Sequence, residues 1–190
     1  MIDLKNVEIE TDLSFLNIYT FNDTELINKC IEESKDKLHI SRYRKVGFFS
    51  DVVKQDYMYG KIKICPSQKL TPSLKEILDI VNERFNSDYN GILINYYKNG
   101  RNYIEKHSDS LNHPKNGVLI ISYGSERNFR VYNKKTDEKI KDIQMNNAEV
   151  LHMGGDFQAE FTHDIEKDDK IKTERYSISF HKYMNLGLYD

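Results

Sequence analysis

Disulfides, membrane spans and repeats are all missing from this sequence. Only two cysteines occur in 190 residues, Cys30 and Cys65, in unrelated segments and without metal-like spacing. That excludes a disulfide framework and reads as buried or free thiols of a reducing compartment. No stretch approaches the ~18 apolar residues a membrane span requires, and Met1 to Glu10 lacks the basic-then-apolar order of a signal peptide. An intracellular protein, cytoplasmic or nuclear and without a membrane partner, is the expectation. No repeat, low-complexity run or dividing linker interrupts the chain, so a single domain over residues 1–190, monomeric, is expected.

Charge of one sign is scarce as well: the net charge is -2, which argues against strong global attraction to nucleic acid. The distribution is uneven, however. Between Ser34 and Lys69 stand nine basic residues (Lys35, Lys37, Arg42, Arg44, Lys45, Lys54, Lys61, Lys63 and Lys69) against three acidic ones (Asp36, Asp51 and Asp56). That segment reads either as a solvated lysine-rich surface or as one that faces phosphates. Hydrophobic content is low at 38%, and the 13 Tyr and 9 Phe supply much of the area a core needs.

Two helices come first. Thr24 to Lys37 places Leu26, Ile27 and Ile31 on one face, with Asp23 or Asn22 as cap. Thr71-Pro72 opens the second, threonine capping and proline suiting the first turn, with Leu74, Ile77, Leu78, Val81 and Phe85 as its stripe. From Gly91 onward the pattern turns to short β-rich runs: Ile92–Tyr97, Val118–Tyr123, Phe129–Tyr132, Glu149–Met153, Phe157–His163 and Arg175–Tyr183. Lys45–Ser50 and Tyr57–Ile64 add strands at an edge. The fold class expected is mainly β with flanking helices, a sandwich or jelly roll.

The chemistry-bearing residues gather in this second half. On a strand, His107 and Asp109 point the same way while Ser108 points out. His163 ends a run that alternates from Phe157. Two imidazoles and a carboxylate are the set that holds a non-haem Fe(II) on one face and leaves positions open for a cosubstrate and oxygen. His152 is a rival third ligand, though its Gly154-Gly155 neighbours suit a strand end and turn; His39, His113 and His181 are not assigned to iron. Arg175-Tyr176-Ser177-Ile178-Ser179-Phe180-His181 alternates strictly, four polar side chains on one face and three apolar ones on the other. Arg175 offers the fork that grips a carboxylate such as that of 2-oxoglutarate. Asn95 and Tyr97 share a face on another strand and need polar partners if buried.

The order Asn95-x-Tyr97, Gly100, Ile104, His107-x-Asp109, His163, Arg175-x-Ser177-x-Ser179 resembles the AlkB family of Fe(II)- and 2-oxoglutarate-dependent dioxygenases. The match extends to Ser122-x-Gly124-x-x-Arg127-x-Phe129 and Met153-Gly154-Gly155-Asp156-x-Gln158, and runs from about residue 42 to about 183. The resemblance implies a double-stranded β-helix, with a helix and a substrate-recognition lid within about 1–70 and the catalytic jelly roll over about 90–183. It implies His107, Asp109 and His163 as iron ligands, Arg175 and Tyr97 on the distal carboxylate of 2-oxoglutarate, and Asn95 near the metal-binding end. Ser177, Ser179 and His181 complete the cosubstrate wall. Where the family closes with a second arginine, this chain has His181, which is shorter and charged only when protonated. The expectation is weaker or more pH-sensitive cosubstrate binding, with Lys182 on the wrong face to replace it. Ser110 and Leu111 stand where base-repairing members often carry acids.

The resemblance implies oxidative demethylation of N-alkylated bases in DNA or RNA, with Fe(II), 2-oxoglutarate and O2. Hydroxylation of a protein side chain or a small metabolite is the alternative. Tyr57 and Tyr59 are candidates to stack on a flipped base, or else core aromatics. Arg44 and the basic segment around it would meet the nucleic-acid partner.

Overall fold

Alternating apolar side chains build two facing sheets. The computed structural model of the chain describes residues 1–59, 62–109 and 116–183, with the side chains of residues 59, 62 and 63 outside that description. Strands are numbered in chain order. The larger sheet has nine strands: β1 (Ile2–Glu10), β2 (Ser14–Phe21), β3 (His39–Ser41), β4 (Arg44–Phe49), β7 (Ser67–Gln68), β8 (Gly91–Tyr97), β10 (Val118–Gly124), β13 (Glu149–Gly155) and β15 (Arg175–His181). Its order is β1-β2-β13-β10-β15-β8-β4-β3, with β7 added alongside β4. The smaller sheet holds β9 (Ile104–His107), β11 (Arg127–Asn133), β12 (Lys139–Met145) and β14 (Phe161–Ile165), ordered β12-β11-β14-β9. A separate hairpin pairs β5 (Tyr57–Tyr59) with β6 (Ile62–Cys65). This is the expected jelly roll.

Strands β2, β10 and β13 of the large sheet send alternate side chains to two different cores. On β10, Leu119 and Ile121 face the helices while Val118 and Ile120 face the small sheet. The helix side holds Leu26, Ile27 and Ile31 of α1 (Thr24–Ser34) and Leu74, Ile77, Leu78 and Val81 of α2 (Pro72–Phe85). The caps are those the sequence suggests. Asp23 accepts from the Leu26 amide at 2.9 Å, and Thr71 Oγ1 from the Leu74 amide at 3.3 Å. The two helix ends are also tied together, since Glu33 accepts from the Ser73 amide at 3.0 Å and its hydroxyl at 2.9 Å. No helix among the described residues is long and apolar enough to cross a membrane.

Several elements differ from expectation. The first helix stops at Ser34, and Lys35–Lys37 continues as a 3-10 turn. Strands β1, β2, β3 and β12 were not apparent in the pattern. Lys45–Ser50 is read as an edge segment, yet β4 lies between β8 and β3. The run 157–163 is not one strand: α3 (Phe157–Glu160) comes first and β14 follows, with His163 in its middle. The amides of Ala159 and Glu160 both bond the Asp156 carbonyl, at 2.8 and 3.0 Å, and this turn brings the Phe157 and Phe161 rings together, tilted, with centroids 4.9 Å apart. The chain can turn there because Gly155 has φ +62, where a Cβ would lie 2.0 Å from the Leu13 carbonyl oxygen.

Candidate metal and cosubstrate site

The small sheet brings the two histidines together. His107 ends β9 and faces His163 of β14 in antiparallel register, with ring centroids 4.5 Å apart. Asp109 lies just beyond the end of β9 rather than within it. Its Oδ1 is 3.6 Å from His107 Nε2 and its Oδ2 3.6 Å from His163 Nε2. These separations are long for hydrogen bonds. One ligand atom from each of the three lies within 4.8 Å of the others, close enough to surround one ion. His152, the rival, is not part of this group: it sits on the helix side of the large sheet, against Phe15 and Phe85, with Nε2 on the Asn116 carbonyl at 3.0 Å.

The donor set fits a divalent cation. His107 Nδ1 lies 2.8 Å from the Glu105 carbonyl oxygen, an acceptor only, so Nδ1 carries the proton and Nε2 presents its lone pair. Burial pushes the His163 imidazole down to about 3, so it arrives neutral. Its ring stacks on Phe129 at 4.9 Å, and its Nδ1 is buried without a partner among the described residues. Burial pushes the Asp109 carboxyl up, but the His107 contact and the fields of His163 and His107 outweigh it and hold the group well below the usual carboxylate range. For His107, burial favours the neutral ring, while the Asp109 contact and charge and the Glu105 carbonyl raise it overall. A cation in the middle would take over the role of that proton.

Sequence reasoning assigned no role to Gln158. Its Oε1 accepts from the Asp109 amide at 2.8 Å, holding the ligand loop, and its Nε2 approaches Met153 Sδ at 3.5 Å. Ser108 meanwhile donates to the Phe161 carbonyl at 2.9 Å, tying the same turn to β14. The signal was present only as position: Gln158 belongs to the 153–158 run, but its direction depends on a helical turn that alternation does not reveal.

The large sheet supplies the second half of the cavity. Antiparallel register sets Arg175 opposite Tyr97 and Ser177 opposite Asn95. All six expected cosubstrate residues, Asn95, Tyr97, Arg175, Ser177, Ser179 and His181, line the same cavity as His107, Asp109 and His163. The empty space, including its solvent-open mouth, is about 610 Å³. Arg175 is only 2% exposed, its Nε donates to Ser122 Oγ at 3.0 Å, and its guanidinium lies 5.2 Å from the Tyr97 ring. Its Nη1 is buried with no partner among the described residues. A buried cation without a carboxylate is costly, and a dicarboxylate entering the cavity supplies one. Arg127, also unassigned by sequence, supports Tyr97 from another side, 5.7 Å from its ring, and donates to the backbone carbonyls of Asn102 and Glu166. Gly100 lets the 168–171 loop close over this end, because a Cβ there would meet the Asp168 carbonyl oxygen at 1.7 Å.

The Ser177 and Ser179 hydroxyls are 3.4 Å apart. His181 lies 5.4 Å from the Tyr183 ring, and burial keeps its imidazole below the usual range, hence neutral near pH 7. Lys182 points elsewhere, into an ion pair with Asp88 at 2.7 Å. Tyr57 lines the cavity and also packs 5.8 Å from Phe48, as part of a small apolar cluster. Tyr59 falls outside the described side chains, and Lys61, Ser110, Leu111 and His113 outside the described residues. Arg44 turns into the cavity, its Nε donating to Asn95 Oδ1 at 2.7 Å. Of its basic neighbours, Lys35 pairs with Glu32 at 2.6 Å and Arg42 with Glu105 at 3.3 Å, which offsets part of the local positive excess.

A jelly roll with two imidazoles and one carboxylate converging between its sheets defines a metal-dependent oxygenase architecture. The chain belongs to the 2OG-Fe(II) oxygenase superfamily, whose family model matches residues 27–185. It is similar to human alpha-ketoglutarate-dependent dioxygenase alkB homolog 3, 25% identical over 136 residues covering 65% of this chain and 47% of that protein. It is also similar to the Arabidopsis thaliana DNA oxidative demethylase ALKBH2, 25% identical over 134 residues covering 57% of this chain and 43% of that protein. The chain therefore spans about half the length of the curated relatives it matches. Its fold is that of the solved structure of OsALKBH1, with a TM-score of 0.62 and 11% identity, covering 94% of this chain and all of that one. The family implies Fe(II) and 2-oxoglutarate, and the donor set and the orphaned Arg175 Nη1 fit both.

Proposed function

We propose that this chain is an Fe(II)- and 2-oxoglutarate-dependent oxidative demethylase of N-alkylated bases in DNA or RNA. The observation that carries the reading is one cavity holding His107, Asp109 and His163 on one wall and, on the other, the buried Arg175, whose Nη1 has no partner among the described residues. With iron(II), 2-oxoglutarate and O2 bound, an N-methyl group is oxidised to formaldehyde while the cosubstrate becomes succinate and carbon dioxide.

In this reading His107, Asp109 and His163 would hold the iron, across the cavity from the polar side chains of β8 and β15. Arg175 and Tyr97 grip the far carboxylate of 2-oxoglutarate, and the fixed guanidinium gives both position and charge. The Ser177 and Ser179 hydroxyls adjust to whichever cosubstrate oxygens lie nearest. The apolar lining, including Ile120, Leu151 and Phe129, excludes water from the oxidising centre. Tyr57 at the cavity offers a ring on which an extruded base stacks. The similarity to an Arabidopsis DNA oxidative demethylase supports nucleic acid as the substrate class.

The test is a panel of N-methylated single- and double-stranded oligonucleotides incubated with iron(II), 2-oxoglutarate and air. Stoichiometric formaldehyde and succinate are expected with at least one of them. Succinate without formaldehyde across the panel, or formation of both from methylated peptides alone, overturns the proposed substrate.

A further inference from the structure

We propose that the end of the cavity remote from Arg175 receives the substrate base, and that the Tyr183 hydroxyl there donates to an exocyclic carbonyl oxygen, so that neutral carbonyl-bearing N-methylated bases are taken in preference to cationic ones; this rests on the function proposed above. Alternate residues of β8 define the axis of the cavity. Leu93, Asn95 and Tyr97 all line it, and Gly91 is next in the same row. A Cβ on Gly91 would meet the Tyr183 ring at 2.6 Å, so that ring takes the place of a side chain at 91 and continues the wall. It lies 5.4 Å from His181 and 6.5 Å from Tyr57, both of which line the cavity. From Tyr97, which Arg175 faces, to Gly91 is about 20 Å along the strand. A five-carbon diacid held at Arg175 is too short to reach that end, which is left to the primary substrate.

Tyr183 is fixed in this place although it lies beyond β15. Its amide donates to Asn90 Oδ1 at 2.7 Å, and its carbonyl accepts from Asn90 Nδ2 at 2.8 Å. The ring packs 4.8 Å from Phe48, in an apolar cluster that includes Leu93 and Val46. Its hydroxyl is nevertheless buried with no partner among the described residues. Phenylalanine would fill the same space and leave no polar group unpaired. Burial keeps the hydroxyl protonated, so it has a hydrogen to donate. Charge decides which base can accept it. Among the described residues that line the cavity Asp109 is the only carboxylate, and it faces the two imidazoles; Arg44 and Arg175 are cations. A cationic base finds no free anion here, whereas a neutral one brings a carbonyl oxygen to the hydroxyl.

The experiment gives the full chain, with iron(II), 2-oxoglutarate and air, two single-stranded oligonucleotides of one sequence. One carries N3-methyluracil, neutral with two carbonyls, and the other 1-methyladenine, cationic with none. Formaldehyde release yields kcat/KM for each. Wild type is expected to favour N3-methyluracil by at least about tenfold, and Tyr183→Phe to reduce that ratio by at least about tenfold. The melting temperature of Tyr183→Phe should equal or exceed that of wild type, since an unpaired hydroxyl is removed. Wild type favouring 1-methyladenine overturns the assignment. So does a Tyr183→Phe that keeps the wild-type ratio, or one that loses both substrates equally and melts earlier, which makes the hydroxyl a packing group. Formaldehyde from neither oligonucleotide nor any other methylated base overturns the function proposed above as well, a result distinct from turnover with the wrong preference.

Discussion

Asp109 and Gln158 divide one task at the scale of single residues. The carboxylate offers its oxygens to both imidazoles, and the Gln158 amide holds the backbone that carries it. Removing the first deletes one of the three proposed ligands; removing the second leaves all three, on a looser loop. Asp109→Ala is therefore expected to abolish both Mn(II) binding and turnover, with the fold retained. Gln158→Ala should lower metal affinity by about 10- to 100-fold, the usual cost of losing a residue that orients a ligand. Electron paramagnetic resonance of bound Mn(II) checks both, and equal affinity of Gln158→Ala and wild type contradicts the holding role. All three metal-ligating candidates were legible in the chain as residue types in order. Gln158 and Arg127 were not, because their contacts are with backbone groups far away in sequence, Asp109 in one case, Asn102 and Glu166 in the other.

Among elements, regular alternation was readable and interrupted alternation was not. Strands β8, β10 and β15 keep period two throughout, so their faces could be assigned from sequence. Strand β1 breaks that period twice, with register shifts between Leu4 and Asn6 and between Val7 and Ile9. Ile2 at one end is buried in the helix-side core and Ile9 at the other in the core between the sheets, while Leu4 and Val7 between them are exposed, so no single apolar stripe marks the strand. Strand β12 buries only Ile143 and Met145 at one end and reads as polar elsewhere. The short helix α3 hides inside what looks like a strand, and Phe157 is what fixes it. That ring is fully buried between the sheets and packs on Phe161. Phe157→Ala should cost about 3–5 kcal/mol of stability, read as a fall in the urea midpoint. Because Gln158 follows directly, metal affinity should fall with it. A variant with unaltered stability would remove α3 from the list of elements that build the site.

The whole molecule stores several buried imidazoles that resist protonation. Burial lowers His152, His163 and His181 below the ordinary value, His163 to about 3. The unfolded chain takes up these protons below about pH 6.5 while the native protein does not. For these groups stability is present above that pH and is lost as pH falls toward each native value. His107 acts in the opposite sense, its contribution being complete at low pH and lost as pH rises through its raised value. Three groups outweigh one, so the melting temperature of the metal-free protein should fall between pH 7.5 and pH 5. Scanning calorimetry across that interval measures it, and a constant or rising melting temperature would refute the balance of charges described here.

Strand β15 also constrains how such a protein can change over generations. Its odd-numbered side chains serve the reactive cavity and its even-numbered ones the helix-side core, so both properties are written into seven consecutive codons. A single-codon insertion or deletion there would exchange the two sets at once, losing ligand and stability together. Lineages can therefore alter cosubstrate choice in this strand only by replacement at odd positions, whereas loops at the cavity mouth remain free to lengthen or shorten. Novel substrates should accordingly arise from the rim, and the interior should diverge one side chain at a time.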